Sequence, residues 1–155
     1  MIGNGVLAGL VSVTAPCGAV DPWAAFVIGG VGGVLVVFAV FFFDTMKVDD
    51  PVGAVSVHGV CGAWGVLSIG FFAKYDDAFL QRENAGLFYG DNGGQLLTQF
   101  AMILIIAVWV AITTAALFAV LKATIGLRVS AEEEIEGLDV LEHGLQGYAP
   151  DVAHA

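Results

Sequence analysis

One histidine lies in a stretch of small and apolar residues that holds no other ionisable group except a cysteine. His58 sits in the sequence AVSVHGVCGAWG, residues 54–65, and residues 51–73 contain no Asp, Glu, Lys or Arg. An imidazole titrates at about pH 6.5 and, when neutral, offers one hydrogen-bond donor and one acceptor. Such a group can bind a small polar solute that finds no other partner in an apolar pore.

The surroundings of His58 predict a position inside a membrane. A bilayer-spanning helix needs about 20 apolar residues, and this charge-free segment is long enough. On an α-helix, Ala54, His58, Cys61 and Gly65 would share one face, which makes Ala54 and His58 candidate pore-lining residues. An ionisable residue within a membrane indicates conduction or proton handling, and the alternative is a hydrogen bond to a neighbouring helix that serves packing alone.

The composition of the whole chain is that of an integral membrane protein. Of its 155 residues, 58% are hydrophobic and 13% are charged, whereas roughly 25% are charged in a typical soluble domain. The net charge of −10 argues against nucleic acid as a partner, because phosphate binding needs clustered Lys and Arg. We find no nucleophile–base pair, metal cluster or phosphate loop, so the sequence predicts no enzyme, no cofactor and no metal site.

Four apolar segments predict four membrane helices. They are expected near residues 4–17, 22–44, 51–73 and 95–122. Pro16 and several glycines can shorten the first of them. The sequence therefore predicts an all-α integral membrane protein, with a transmembrane region at 1–122 and an acidic tail at 123–155.

Small residues recur inside the first two segments. Gly5 and Gly9 form one GxxxG pair, and Gly29 and Gly33 form another. Residues at this spacing let helices approach closely, so we interpret them as helix-packing positions.

The basic residues predict an orientation in the membrane, and the cysteines predict buried positions. With the tail inside the cell, three basic residues lie on the inner side and two on the outer side, which follows the positive-inside rule. They are Lys47, Lys122 and Arg128 inside, and Lys74 and Arg82 outside. Cys17 and Cys61 are interpreted as small buried hydrophobes.

Two polar positions outside the apolar segments have local interpretations. Asp50 precedes Pro51, and it is either a helix N-cap or, as the alternative, part of a cytoplasmic gate. Ser130 with Glu133 three residues later is a capping-box pattern. It predicts a short helix over about 131–136 that ends near Gly137.

Three motifs, in order, resemble the ammonium transporter family, which includes the Rh proteins. They are NGVLAGLVSVTAPCGAVDPWAA (4–25), VDDPVGAVSVHGVCGAWGVLSIGFFA (48–73) and GLRVSAEEEIEGLDVLEHGLQGYAPD (126–151). The resemblance implies a homotrimer in the plasma membrane, each subunit having about eleven membrane helices. This chain would be the C-terminal part of a subunit, with its last four helices and its cytoplasmic tail.

The resemblance also implies a function in nitrogen uptake. Ammonium would be recruited outside, lose a proton, and cross as ammonia past two facing histidines. His58 sits where the second of these lies, and the first belongs to an earlier helix. The tail would meet a signalling protein of the P-II class.

Two other classes of protein stay open. One is an assembly or regulatory membrane module that joins full-length subunits without conducting. The other is a proton-handling subunit of a respiratory complex, which is disfavoured because no Glu or Lys lies inside any of the four apolar segments, Lys122 being the last residue of the fourth.

Overall fold

The computed structural model describes residues 1–74, 85–145 and 147, and these residues form helices and connecting turns. The regular elements are α1 (Ile2–Thr14), α2 (Pro22–Thr45), a π-helical turn (Val55–Val60) that leads into α3 (Cys61–Phe72), a 3₁₀ turn (Leu87–Tyr89), α4 (Gly94–Thr124), α5 (Ala131–Glu136) and α6 (Leu138–His143). Arg82 and the last residues of the third motif lie outside the described residues.

In the described part of the chain, three helical stretches are long and apolar enough to cross a membrane. They are Pro22–Thr45, Val55–Phe72 and Gly94–Thr124. The first helix, α1, is apolar but has 13 residues, which extend about 20 Å at 1.5 Å per residue. It ends at Thr14, before the predicted end at residue 17, because Pro16 has no N–H with which to continue the helix.

The third membrane helix begins later than its predicted start at Pro51. Pro51 and Val52 form a turn, and Gly53 has a φ of +75°. The Gly53 N–H donates to the Asp50 carbonyl at 3.0 Å and closes this turn. A right-handed helix cannot pass through a positive φ, which glycine adopts readily because it lacks a Cβ. Helical structure therefore starts at Ala54.

The backbones of α1 and α2 come into near contact at the predicted glycine positions. A Cβ on Gly9 would lie 3.5 Å from the Gly29 carbonyl oxygen, and a Cβ on Gly29 would lie 3.6 Å from that of Gly9. A Cβ on Gly33 would lie 3.8 Å from the Gly5 carbonyl oxygen. The two GxxxG pairs face each other, which confirms their interpretation as packing positions.

The interior of residues 1–108, which form one compact unit, is built largely from small and medium-sized side chains. Two clusters of buried residues form it: Ala8, Val36, Val57 and Cys61 in one, and Ala24, Ile28 and Phe72 in the other. Cys61 is buried as expected, but Cys17 is exposed. The prediction for Cys17 is wrong because this residue lies in the turn that follows α1.

The described residues from Trp109 onward form a second compact unit, which includes the described part of the acidic tail. The Ser130 hydroxyl accepts a hydrogen bond from the Glu133 N–H at 3.2 Å, and the Ser130 N–H donates to the Glu133 carboxylate at 2.8 Å. This capping box starts α5, which has the predicted bounds and ends before Gly137 (φ +93°). The bonds from the Ser130 N–H and hydroxyl hold the pKa of Glu133 below its ordinary value.

Gly65 provides a test of the close packing between α1 and α3. A methyl group there would lie 2.5 Å from the backbone oxygen of Ser12, which cannot rotate away. We expect Gly65→Ala to lower the free energy of unfolding by about 1–3 kcal/mol, the usual cost of overpacking. Circular dichroism during unfolding in mixed detergent micelles measures this change. The control is Gly30→Ala, since nothing lies within 4 Å of a Cβ at that position. Equal stability of the two variants would contradict the close contact between α1 and α3 at Gly65.

Candidate functional site

His58 lies within the π turn, on the exposed side of the helix. Ala54, the other predicted pore-lining residue, is exposed as well, whereas Ser56 and Val57 are buried. Among the described residues, no group of three or more His, Cys, Asp or Glu side chains is placed to hold a metal ion. His58 is therefore a single ionisable group that the helix presents away from its packed side.

The π turn separates residues that were predicted to share one face. Cys61 and Gly65 are buried, so they do not join Ala54 and His58 on the exposed side. A π turn closes i→i+5 hydrogen bonds and so contains one residue more than an α turn, and each residue rotates an α-helix by about 100°. The prediction of one common face is wrong because this extra residue rotates His58 away from Cys61.

The Asp50 carboxylate accepts hydrogen bonds from the first residues of the π turn. One carboxylate oxygen accepts from the Val55 N–H at 3.0 Å. The other accepts from the Ser56 N–H at 3.0 Å and from the Ser56 hydroxyl at 2.9 Å. Asn4 of α1 donates to the Val52 carbonyl at 3.3 Å and so contacts the intervening turn. The Asp50 carboxylate thereby satisfies N–H groups at the start of a helix, as a capping side chain does.

Two hydrogen bonds connect α3 to α2 on the C-terminal side of His58. The Trp64 indole N–H donates to the Ile28 carbonyl at 3.0 Å. The Cys61 sulfur lies 3.5 Å from the Gly32 carbonyl oxygen. Residues 28 and 32 are one turn apart on α2, so these contacts fix the rotation of α3 against its neighbour.

The buried Ser12 hydroxyl connects α1 to the same region, donating to the Cys61 carbonyl at 3.3 Å. It fits there because Gly32 and Gly65 carry no side chains, and a Cβ on either would collide with Ser12. The Cys61 sulfur also lies 3.4 Å from the Ser56 carbonyl oxygen. Cys61 therefore contacts α1, α2 and the π turn. Nothing in the local sequence distinguishes it from a cysteine that only fills space.

A charged network joins the ends of α2 and α3 that lie away from Asp50. The Lys74 ammonium donates to the Asp21 carboxylate at 3.1 Å, and the Tyr89 hydroxyl donates to its other oxygen at 3.0 Å. The bond from Lys74, assisted by Tyr89, outweighs the effect of burial and lowers the pKa of Asp21. Sequence reasoning missed this network because its members are far apart along the chain.

Asp50→Asn tests the capping role through its pH dependence. Burial raises the pKa of Asp50, but the hydrogen bonds from Ser56 and Val55 outweigh it and lower the pKa. The carboxylate therefore contributes stability that is complete above the unfolded-state pKa of about 3.9 and is lost as the pH falls through the lower folded-state value.

We expect Asp50→Asn to unfold at a lower temperature than wild type at pH 7. The difference should narrow below about pH 4, as protonation of Asp50 removes the same stability from the wild type. Circular dichroism during thermal unfolding in detergent measures the unfolding temperatures of the two proteins at each pH. Asp49→Asn, at an exposed neighbour, is the control, and a difference that does not change with pH would refute the carboxylate's role.

Comparisons with known proteins find similarity to proteins named ammonium transporters. The sequence profile described as Ammonium Transporter Family matches residues 1–148. The chain is 40% identical over 148 residues to Ammonium transporter Amt2 of Archaeoglobus fulgidus, and 42% identical over 150 residues to Ammonium transporter 1 member 2 of Oryza sativa subsp. japonica. Each match covers 94% of this chain, but 31% and 30% of the respective relatives.

A solved structure has the same fold. The structure named Sensor Amt Protein superposes on 90% of this chain with a TM-score of 0.73 and 35% sequence identity, and the matched part is 33% of that protein. The chain therefore spans about a third of the length of each of these proteins.

Proposed function

This chain belongs to the Ammonium Transporter Family, and we propose that it forms the C-terminal part of a subunit that moves ammonium across a membrane. The family and the apolar helices make it a multi-pass membrane protein. The observation that carries the proposal is the exposed His58, which a spanning-length helix without Asp, Glu, Lys or Arg presents beside the small Ala54.

The chemistry of His58 suits ammonia as the passing solute. An ammonium ion that enters an apolar pore loses its hydration at a high cost, whereas neutral ammonia loses much less. A neutral imidazole can accept a hydrogen bond from ammonia or donate one to its lone pair. In the proposed mechanism, ammonium gives up a proton before this point and ammonia passes His58. The small residues Ala54 and Gly59, both exposed, leave space beside the ring.

The remainder of the proposed subunit lies outside this chain. We infer that these residues supply the last four of about eleven membrane helices, as the resemblance of the three motifs implies. The chain spans 31% of its archaeal relative, which supports a part of a subunit rather than a whole one. The second pore histidine would come from an earlier helix, since the other two histidines of this chain are at positions 143 and 154, in the tail. We further propose a homotrimer in the plasma membrane, with the tail in the cytoplasm and available to a P-II protein.

An assembly or regulatory module is the second candidate. It is favoured by the same length comparison, because a chain that spans 30% of a relative would form only one side of a pore. Such a module would join full-length subunits without conducting. The two candidates differ in whether transport appears when the rest of a subunit is supplied.

We expect the 155-residue chain alone to give no ammonium flux in liposomes, because an incomplete pore leaves polar groups facing lipid. We expect flux when the chain is joined to the upstream part of the Archaeoglobus fulgidus relative, to which it is 40% identical in the shared region. The measurement imposes an ammonium gradient and follows the internal pH with a dye.

Two variants of the joined protein provide the controls. His58→Ala should abolish the flux, and His143→Ala, in α6 of the tail, should leave it unchanged. A saturable flux from the chain alone that disappears in His58→Ala would show that the chain is complete. A joined protein that is folded in the membrane but gives no flux would favour the assembly module.

A further inference from the structure

The helix that carries His58 is fixed on its N-terminal side. The Asp50 carboxylate accepts from the N–H groups of Val55 and Ser56, both at 3.0 Å, and from the Ser56 hydroxyl at 2.9 Å. Val57, the next residue, is buried. These contacts leave the first residues of the π turn one rotational setting, with Ser56 and Val57 inward and His58 outward.

The same helix is fixed independently on its C-terminal side. Trp64 donates to the Ile28 carbonyl at 3.0 Å, and the Cys61 sulfur lies 3.5 Å from the Gly32 carbonyl oxygen. Gly65 lies against the backbone of Ser12, at a distance that excludes a Cβ. These contacts require Cys61 and Gly65 to face the packed interior.

An unbroken α-helix cannot satisfy both sets of contacts. In such a helix, His58, Cys61 and Gly65 would lie on one face, so an exposed His58 would carry the other two out of the interior. One additional residue shifts the rotation by about 100°. The π turn supplies that residue, and π turns of this kind are frequent at functional sites.

We propose that the π turn Val55–Val60 is a positioning element that directs His58 into the pore, and that Cys61 is the positioning residue that holds this turn. The inference rests on the proposed function of His58 as a pore histidine. It adds that the direction of the ring depends on one extra residue in the helix and on the thiol that stabilises it.

The contacts of Cys61 explain why this residue holds the turn. Its sulfur lies 3.4 Å from the Ser56 carbonyl oxygen, within the π turn, and 3.5 Å from the Gly32 carbonyl oxygen on α2. A thiol has one proton, which two such acceptors can share. Its backbone carbonyl accepts from Ser12 of α1 at 3.3 Å. Cys61 therefore connects the π turn to both neighbouring helices without leaving the interior.

Magnetic resonance on the full chain in lipid bilayers tests this inference without any transport measurement. Isotope-labelled histidine gives signals from three side chains, and the signal lost in His58→Gln identifies His58. A nitroxide placed on the lipid acyl chains speeds the relaxation of nuclei that face lipid. In the chain alone, the exposed His58 should relax strongly. The indole N–H signal of Trp64 reports whether α2 and α3 remain packed.

Deleting Gly59 removes one residue from the turn. We expect the ring of His58 to rotate towards α1 and α2, so that the nitroxide effect on its signal falls several-fold while the Trp64 signal is kept. Gly59→Ala preserves the residue count, and its methyl group would meet Val55 at an ordinary 3.5 Å, so this control should match wild type. An unchanged nitroxide effect in the deletion, with Trp64 still packed, would overturn the proposal.

Substitutions at Cys61 provide a second test. They test the positioning of His58 even if the Gly59 deletion does not fold. Cys61→Ala should shift and broaden the His58 signal, and Cys61→Ser, which keeps a donor, should restore it. Cys17→Ala, at the exposed cysteine, should change nothing. A His58 signal that Cys61→Ala leaves identical to wild type would refute the role of the thiol. Because no flux is measured, failure here is distinguishable from failure of the proposed transport function.

Discussion

The backbone groups between Asp50 and Phe72 need hydrogen-bond partners within the protein, because the interior of a bilayer offers none. At one end of this segment the Asp50 carboxylate takes the N–H groups that a helix start leaves free. At the other end the Lys74 N–H donates to the Ala19 carbonyl at 2.9 Å. The position of His58 follows from this constraint, since the helix that carries it is held by polar bonds at both ends.

Small residues make the remaining bonds possible. A hydroxyl as short as that of Ser12 reaches the Cys61 carbonyl only because the helix backbones come close together. They come close because Gly32 and Gly65 have no Cβ that would strike Ser12. In a membrane the burial of apolar surface contributes little to helix association, because lipid is itself apolar. Close packing and interhelical hydrogen bonds therefore provide most of the attraction. The glycines thus serve the polar contacts as well as the packing.

The sequence predicted those features that depend on local patterns. The apolar segments, the GxxxG pairs and the capping box at Ser130 each follow from residue types at a fixed spacing. The π turn did not, because VSVHGV reads equally well as α-helix and the extra residue is required only by distant contacts, such as that of Trp64 with Ile28. Helix α6 was missed because its N-cap residue, Gly137, has no side chain that could cap it. The ion pair between Asp21 and Lys74 could not be predicted, because it joins residues that only the fold brings together.

The exposed direction of His58 fits the larger subunit that we propose. A polar ring buried without a hydrogen-bond partner costs about 1–3 kcal/mol. The four apolar segments hold no second histidine that could pair with His58. The π turn nevertheless rotates His58 away from α1 and α2, where the helix is otherwise held. The exposure of this polar ring is accounted for if the proposed subunit supplies, from its earlier helices, the polar partner and the opposite wall of the pore.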